Sequence, residues 1–232
     1  MEGDRITRRA SLVKVGGFVA AALGASGWKL GSAAESEGAG PAAVASGAVS
    51  CVLAPEQTEG PYYIANEKLR RNITEGRPGG TPLTLRLRVV DASTCKPIKN
   101  AAVDVWHCDA LGAYSGFGAG SGSRSFMRGV QRTDANGFVT FQTVYPGWYQ
   151  GRTVHIHVKV HVRGNVVHTG QLYFSDRVTD TVFKRRPYSR RGARTTRNSS
   201  DSVYRNGGKH SLLGIRKRAA AYVGTITMGV HR

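Results

Sequence analysis

The chain has 232 residues, with 33 Lys and Arg against 15 Asp and Glu, a formal charge of +18. A content of 40% hydrophobic and 21% charged residues excludes a disordered chain. No apolar run reaches the roughly 18 residues of a spanning helix, so a helical membrane protein is not expected. The charge invites a nucleic-acid reading, but no zinc-finger spacing, basic heptad helix or RNA-binding aromatic motif accompanies it, and no nucleic-acid partner is expected.

In chain order, Thr7-Arg8-Arg9-Ala10-Ser11-Leu12 resembles a bacterial twin-arginine export motif, with Ser11 where Phe is usual. A short, mildly apolar stretch rich in Ala and Gly follows at 12–25, too short for a stop-transfer helix. Small residues dominate up to position 50. The expected organisation is a cleavable leader at 1–34, a flexible linker at 35–50 and one folded domain at 51–232. The expected location is outside the cytoplasm, secreted or in the cell envelope, with no membrane insertion once the leader is removed. Of the three cysteines, Cys95 and Cys108 flank one predicted strand, which leaves Cys51 and Cys95 as the expected pair.

From Cys51 on the pattern is β-rich. Residues 82–90 alternate apolar and polar as a half-buried strand does, and 101–106 form the next strand. Asp134-Ala135-Asn136-Gly137 is a turn signal between 130–132 and 138–142, so a β-hairpin is predicted there. Residues 153–162 alternate again: Val154, Ile156, Val158, Val160 and Val162 share one face, and His155, His157, Lys159 and His161 the other. Strands at 170–174 and 220–228 and one short helix near 176–183 complete the set, which suggests a sandwich or barrel. Seven Lys and Arg within 184–197 read as a solvated basic loop, with Arg216-Lys217-Arg218 a second basic cluster.

The chemistry concentrates in His155-Ile156-His157. Side chains at i and i+2 of a strand project from one face, so the two imidazoles stand side by side and could share a metal ion. Upstream lies Phe141-Gln142-Thr143-Val144-Tyr145-Pro146-Gly147-Trp148-Tyr149, then Gly151-Arg152-Thr153-Val154; a second patch, 105–114, ends in Tyr114. With Thr58-Glu59-Gly60-Pro61-Tyr62 and the 129–141 stretch, these motifs resemble the intradiol ring-cleavage dioxygenases, over about 51–229.

That resemblance implies an all-β fold, an immunoglobulin-like or prealbumin-like β-sandwich with long active-site loops. It implies Fe(III) held by Tyr114, Tyr149, His155 and His157, with Tyr145 a rival for the second tyrosine. It implies catalytic roles for Arg152, Tyr149 and Gln171, and a substrate wall of Gly60, Pro61 and Tyr62. Its substrates are catechol-type aromatic diols and dioxygen, its products cis,cis-muconates. Two features depart from the larger members: only residues 150–154 separate the second Tyr from the first His, and Thr153 replaces a Pro. With no room for an N-terminal helical segment, the chain looks like the smaller, exported branch. The alternative is a non-catalytic exported β-sandwich module that binds aromatic polymer or polysaccharide. His107, Asp109 and Cys108 read as structural, and His161 as a solvent-side strand residue.

Overall fold

The computed structural model describes residues 52–65, 68–77, 79–117 and 124–231. The expected leader and linker, and Cys51, lie outside the described residues. Cys95 is disulfide-bonded and Cys108 is free and buried. No helix among the described residues is long and apolar enough to cross a membrane.

Among the described residues, eight strands form two four-stranded sheets: β1 (Pro82–Asp91), β2 (Ala102–Trp106), β3 (Arg128–Arg132), β4 (Phe138–Val144), β5 (His155–Val162), β6 (Asn165–Tyr173), β7 (Gly214–Arg218) and β8 (Ala221–Val230). One sheet runs β4-β1-β8-β7 and the other β3-β2-β5-β6. All neighbours pair antiparallel except β1 and β8, which are parallel. Alternation in β1 sends Leu83, Leu85, Leu87 and Val89 inward, where they join Val103, Val105, Ile156, Val158, Val160 and Leu172 of the other sheet in one core. Burying each such aliphatic side chain contributes about 1.5–3 kcal/mol over leaving it exposed, so this shared interior fixes the sheet register.

The predicted hairpin is a corner between sheets. The Asp134 turn forms as expected: its Oδ1 accepts from the Asn136 and Phe138 amides at 2.8 and 2.9 Å. On leaving the turn the chain changes sheets. Thr133 N donates to Ala101 O, keeping β3 with β2, while Gly137 O accepts from Val89 N at 2.8 Å and commits β4 to β1. A turn signal specifies the reversal, but the partner strand is chosen by contacts distant in sequence.

Other differences are smaller. Strand β6 starts at Asn165, and β7, whose Gly-Ile-Arg-Lys-Arg has little apolar alternation, was not expected. The predicted helix is α1 (Asp176–Phe183), N-capped by Ser175 Oγ with Asp176 in its first turn. A second, α2 (Ser202–Arg205), is capped by Asp201. The 184–197 stretch is only partly a solvated loop. Arg194 pairs with Asp176 and Asp180, Arg197 with Asp180, and the Arg191 guanidinium lies 4.4 Å from the Trp148 ring centre.

Candidate active site

Two loops deliver the tyrosines. After β2, Asp109 Oδ1 accepts from the Leu111 and Ala113 amides, and its Oδ2 takes a bidentate grip from Arg77. That turn leads into Tyr114. The loop after β4 docks against it, with Gly147 N donating to Asp109 O at 2.9 Å. A Cβ on Gly147 would lie 2.5 Å from Ala110 O, so only glycine permits this approach. The chain then reverses within four residues, Tyr149 bridging to Arg152, and enters β5 at once. This tight reversal explains why five residues suffice between Tyr149 and His155.

Strand β5 presents His155 and His157 outward from the shared core, both buried. His155 Nδ1 faces Thr153 O at 2.7 Å, which fixes its proton there and turns the Nε2 lone pair inward. That Nε2 lies 3.1 Å from His157 Nε2 and 3.0 Å from Tyr149 Oη. The Tyr114 ring meets the Tyr149 ring edge-on at 5.7 Å, and its Oη is buried with no hydrogen-bond partner. Two sequence-predicted tyrosines and two histidines therefore converge. Tyr145 does not: it lies wholly within the core with its Oη 2.7 Å from Thr179 Oγ1.

Burial dominates the electrostatics. It lowers the His155 pKa to about 3, helped by the Arg152 charge, and drives His157 well below its ordinary value. It raises Tyr149 to about 12 against the pull of Arg152, and raises Tyr114 well above its ordinary value. Both imidazoles are thus neutral and available as ligands at neutral pH. Tyr149 Oη stands within reach of His155 Nε2, but the buried Tyr114 phenol meets no acceptor and carries a desolvation cost. A hard, highly charged cation fits this donor set, because phenolates favour such an ion and imidazoles complete its shell. Among the described residues no group of three His, Cys, Asp or Glu is placed to hold a metal, so the phenols are essential to any site here.

Aromatic rings enclose the centre. Tyr62 stacks on Tyr114 at 4.3 Å, and Trp106 lies flat on His157 at 4.8 Å and 5°. Gly60, at φ +71°, sits where a Cβ would come within 3.2 Å of His157 Cε1. Pro61, between Gly60 and Tyr62, is exposed. Arg152 Nη2 donates to Gln171 Oε1 at 2.5 Å, joining two predicted residues, and Gln171 Nε2 donates to Thr58 O.

Two residues were missed from sequence. Arg128 is fully buried; it donates to Ser115 Oγ, Ser115 O and Tyr62 O, tying together the segments that carry Tyr114 and Tyr62. Asp201 binds Arg152 Nε at 2.9 Å from 49 residues away. Neither stands in a motif, and only the fold brings them to the site. His107 and Cys108 are structural. His107 bridges Cys108 O and Thr143 Oγ1, and burial pushes the Cys108 thiol up to about 12.

Residues 58–187, more than half of the chain, match a family model described as dioxygenase. A solved intradiol ring-cleavage dioxygenase from Tetranychus urticae is 38% identical, with a TM-score of 0.74 over 78% of this chain and 95% of that one. The chain belongs to the intradiol ring-cleavage dioxygenases. Among curated members of this family, catechol 1,2-dioxygenase 2 of Acinetobacter lwoffii is 36% identical over 43% of this chain and 38% of its own length. A chlorocatechol 1,2-dioxygenase of Cupriavidus pinatubonensis is 28% identical over 53% of this chain and 56% of its own. The chain thus spans well under two thirds of the curated intradiol dioxygenases it matches, whereas it spans nearly all of the Tetranychus protein.

Proposed function

We propose that this protein is a ferric-iron enzyme that cleaves catechol-type diols between their two hydroxyls with dioxygen, giving cis,cis-muconate-type products. The carrying observation is the convergence of Tyr149 Oη, His155 Nε2 and His157 Nε2 within about one hydrogen-bond length, beside the orphaned Tyr114 Oη. Those four residues would hold the iron, which when bound supplies a Lewis acid that draws electron density from a chelated diol.

The chain's own groups supply the rest. Tyr149 is less buried than Tyr114, so its Oη is the phenol suited to take a proton from an incoming diol. Tyr114 stays fixed beneath Tyr62. Arg152 presents a cationic fork toward negative charge developing on the ring. Tyr62, Phe117 and Trp106 exclude water. Retention of all four donors favours this reading over a non-catalytic binding module.

The same proposal includes export. A twin-arginine leader at 1–34 and a linker at 35–50 would precede the domain at 51–232, and the core shared by two four-stranded sheets supports an immunoglobulin-like or prealbumin-like sandwich for that domain. The deciding experiment is the visible spectrum of the iron-loaded protein before and after anaerobic catechol. A tyrosinate-to-iron band that shifts with catechol, then bleaches in air as muconate forms, is expected. A colourless protein after iron loading would overturn the site.

A further inference from the structure

Arg152 is held by a closed ring of side chains that no motif announces. Its Nε donates to Asp201 Oδ2 at 2.9 Å and its Nη2 to Gln171 Oε1 at 2.5 Å. Tyr173 Oη lies 3.0 Å from both Gln171 Oε1 and Gln57 Oε1. Gln57 Nε2 donates to Val203 O and Asn206 O, at the C-terminal end of α2. At the other end of α2, Asp201 Oδ1 accepts from the Val203 and Tyr204 amides, while its Oδ2 also takes the Thr153 amide at 2.7 Å. The ring runs from Arg152 through Gln171, Tyr173, Gln57, α2 and Asp201 back to Arg152.

The donors and acceptors fix the Gln171 amide. Its Oε1 accepts from the Arg152 guanidinium and its Nε2 faces the Thr58 carbonyl, so flipping it would set N–H against guanidinium, while the single Tyr173 hydroxyl proton serves one of the two glutamine oxygens at a time. Asp201 has a wholly buried side chain and accepts from four N–H groups, which an ionised carboxylate alone among the side chains of this size can do. The Asp201 carboxylate is wholly buried against a largely buried Arg152, and such a charge pair tolerates the loss of a member badly. The ring holds a cation whose charge is felt by both Tyr149 and His155.

We propose that Asp201 is a positioning residue for ring cleavage, setting the direction of the Arg152 guanidinium through α2, with Tyr173 and Gln57 closing the ring. This inference rests on the ferric-iron reading above. It assigns to α2, a four-residue helix outside the metal site, the role of a template for the catalytic arginine.

The test is a double-mutant cycle on the iron-loaded full chain. Asp201→Asn keeps size and one acceptor oxygen but removes the charge. It should lower kcat for catechol about 10- to 100-fold, the range for an outer partner of a site residue. Iron content, the resting visible band and the anaerobic affinity for 4-nitrocatechol should stay within about twofold of wild type, because the four metal-holding residues are untouched. In an Arg152→Ala background the same substitution should cost no more than about twofold, since the group it positions is gone. A full-sized loss in both backgrounds, or loss of iron in Asp201→Asn alone, overturns the inference. If Asp201→Asn fails to fold, Tyr173→Phe opens the ring at another point and decides the matter: unchanged kcat overturns the inference, and a fall abolished by Arg152→Ala supports it. A wild-type protein that neither colours with iron nor turns over catechol would instead overturn the proposed function.

Discussion

The two faces of β5 are equally buried and chemically opposite. Ile156, Val158 and Val160 enter the dry interior between the sheets, each wholly inaccessible. On the other face His155 and His157 are at 2% and 1% exposure, with Lys159 beyond them. The aliphatic face is held by area removed from water. The polar face is held by named partners: Thr153 O for His155, the Trp106 ring for His157, Glu59 and the Tyr63 ring for Lys159. Burial alone therefore does not tell core from site. The difference lies in whether the buried groups are content without a ligand, and the Tyr114 Oη is not.

Substitutions on the two faces should separate metal binding from stability. His157→Ala removes an inward donor and should lower iron occupancy and catechol turnover by more than about 100-fold, beyond what an outer partner costs. Iron content and the visible band are the readouts, and near-normal occupancy would break the contrast. Ile156→Ala, one residue away on the opposite face, should cost about 2–5 kcal/mol in denaturant unfolding through the cavity it leaves. The folded fraction should keep its iron and colour. If Ile156→Ala discharged the metal at native stability, the two faces would not be independent.

The iron-free protein should also lose stability in acid through its buried histidines. His107, against Cys108 O and Thr143 Oγ1, has its pKa lowered by burial from 6.5 to about 4. Above pH 6.5 it is neutral both folded and unfolded, and its contribution is complete. As the pH falls through 6.5 the unfolded chain takes up the proton first, so stability is lost progressively down to about pH 4, amounting to roughly 3 kcal/mol. His155 and His157 act in the same direction. The measurement is the urea midpoint at pH 7 and pH 4.5 for wild type and His107→Gln. The variant should lose less between the two pH values, and equal losses would remove His107 from the account.

Much of this was legible in the sequence because it was local. Period-two alternation marked β1 and β5, the stretch near 176–183 read as one short helix, and His155-Ile156-His157 marked the site. Sequence left Tyr145 and Tyr149 as rivals, and geometry separates them, because Tyr145 falls on the interior side of the loop and Tyr149 at its turn. What stayed hidden depends on long-range pairing. The Asp134 turn carries no information about which strand β4 joins. An exposed edge strand such as β7 has no buried face to impose alternation. Asp201 stands in no motif, and only the folded chain shows one of its oxygens capping α2 and the other on Arg152.

The smallest expected effect tests where the polar face of β5 ends. By alternation His161 belongs with His155 and His157, and sequence alone allows a continuous histidine stripe. The β5–β6 register slips beside His161, where the extra residue, Val167, lies on β6, while β5 keeps its register with β2 through Ala102↔His161. His161 stands next to the end of β5 and is only partly buried, and burial together with the Lys159 charge lowers its pKa. His161→Ala should shift unfolding by no more than about 0.5 kcal/mol, as surface changes away from special features do, and should leave iron content and colour unchanged. A measurable loss of metal would mean that the site does not end at Lys159, and that the contrast between the faces of β5 runs the length of the strand.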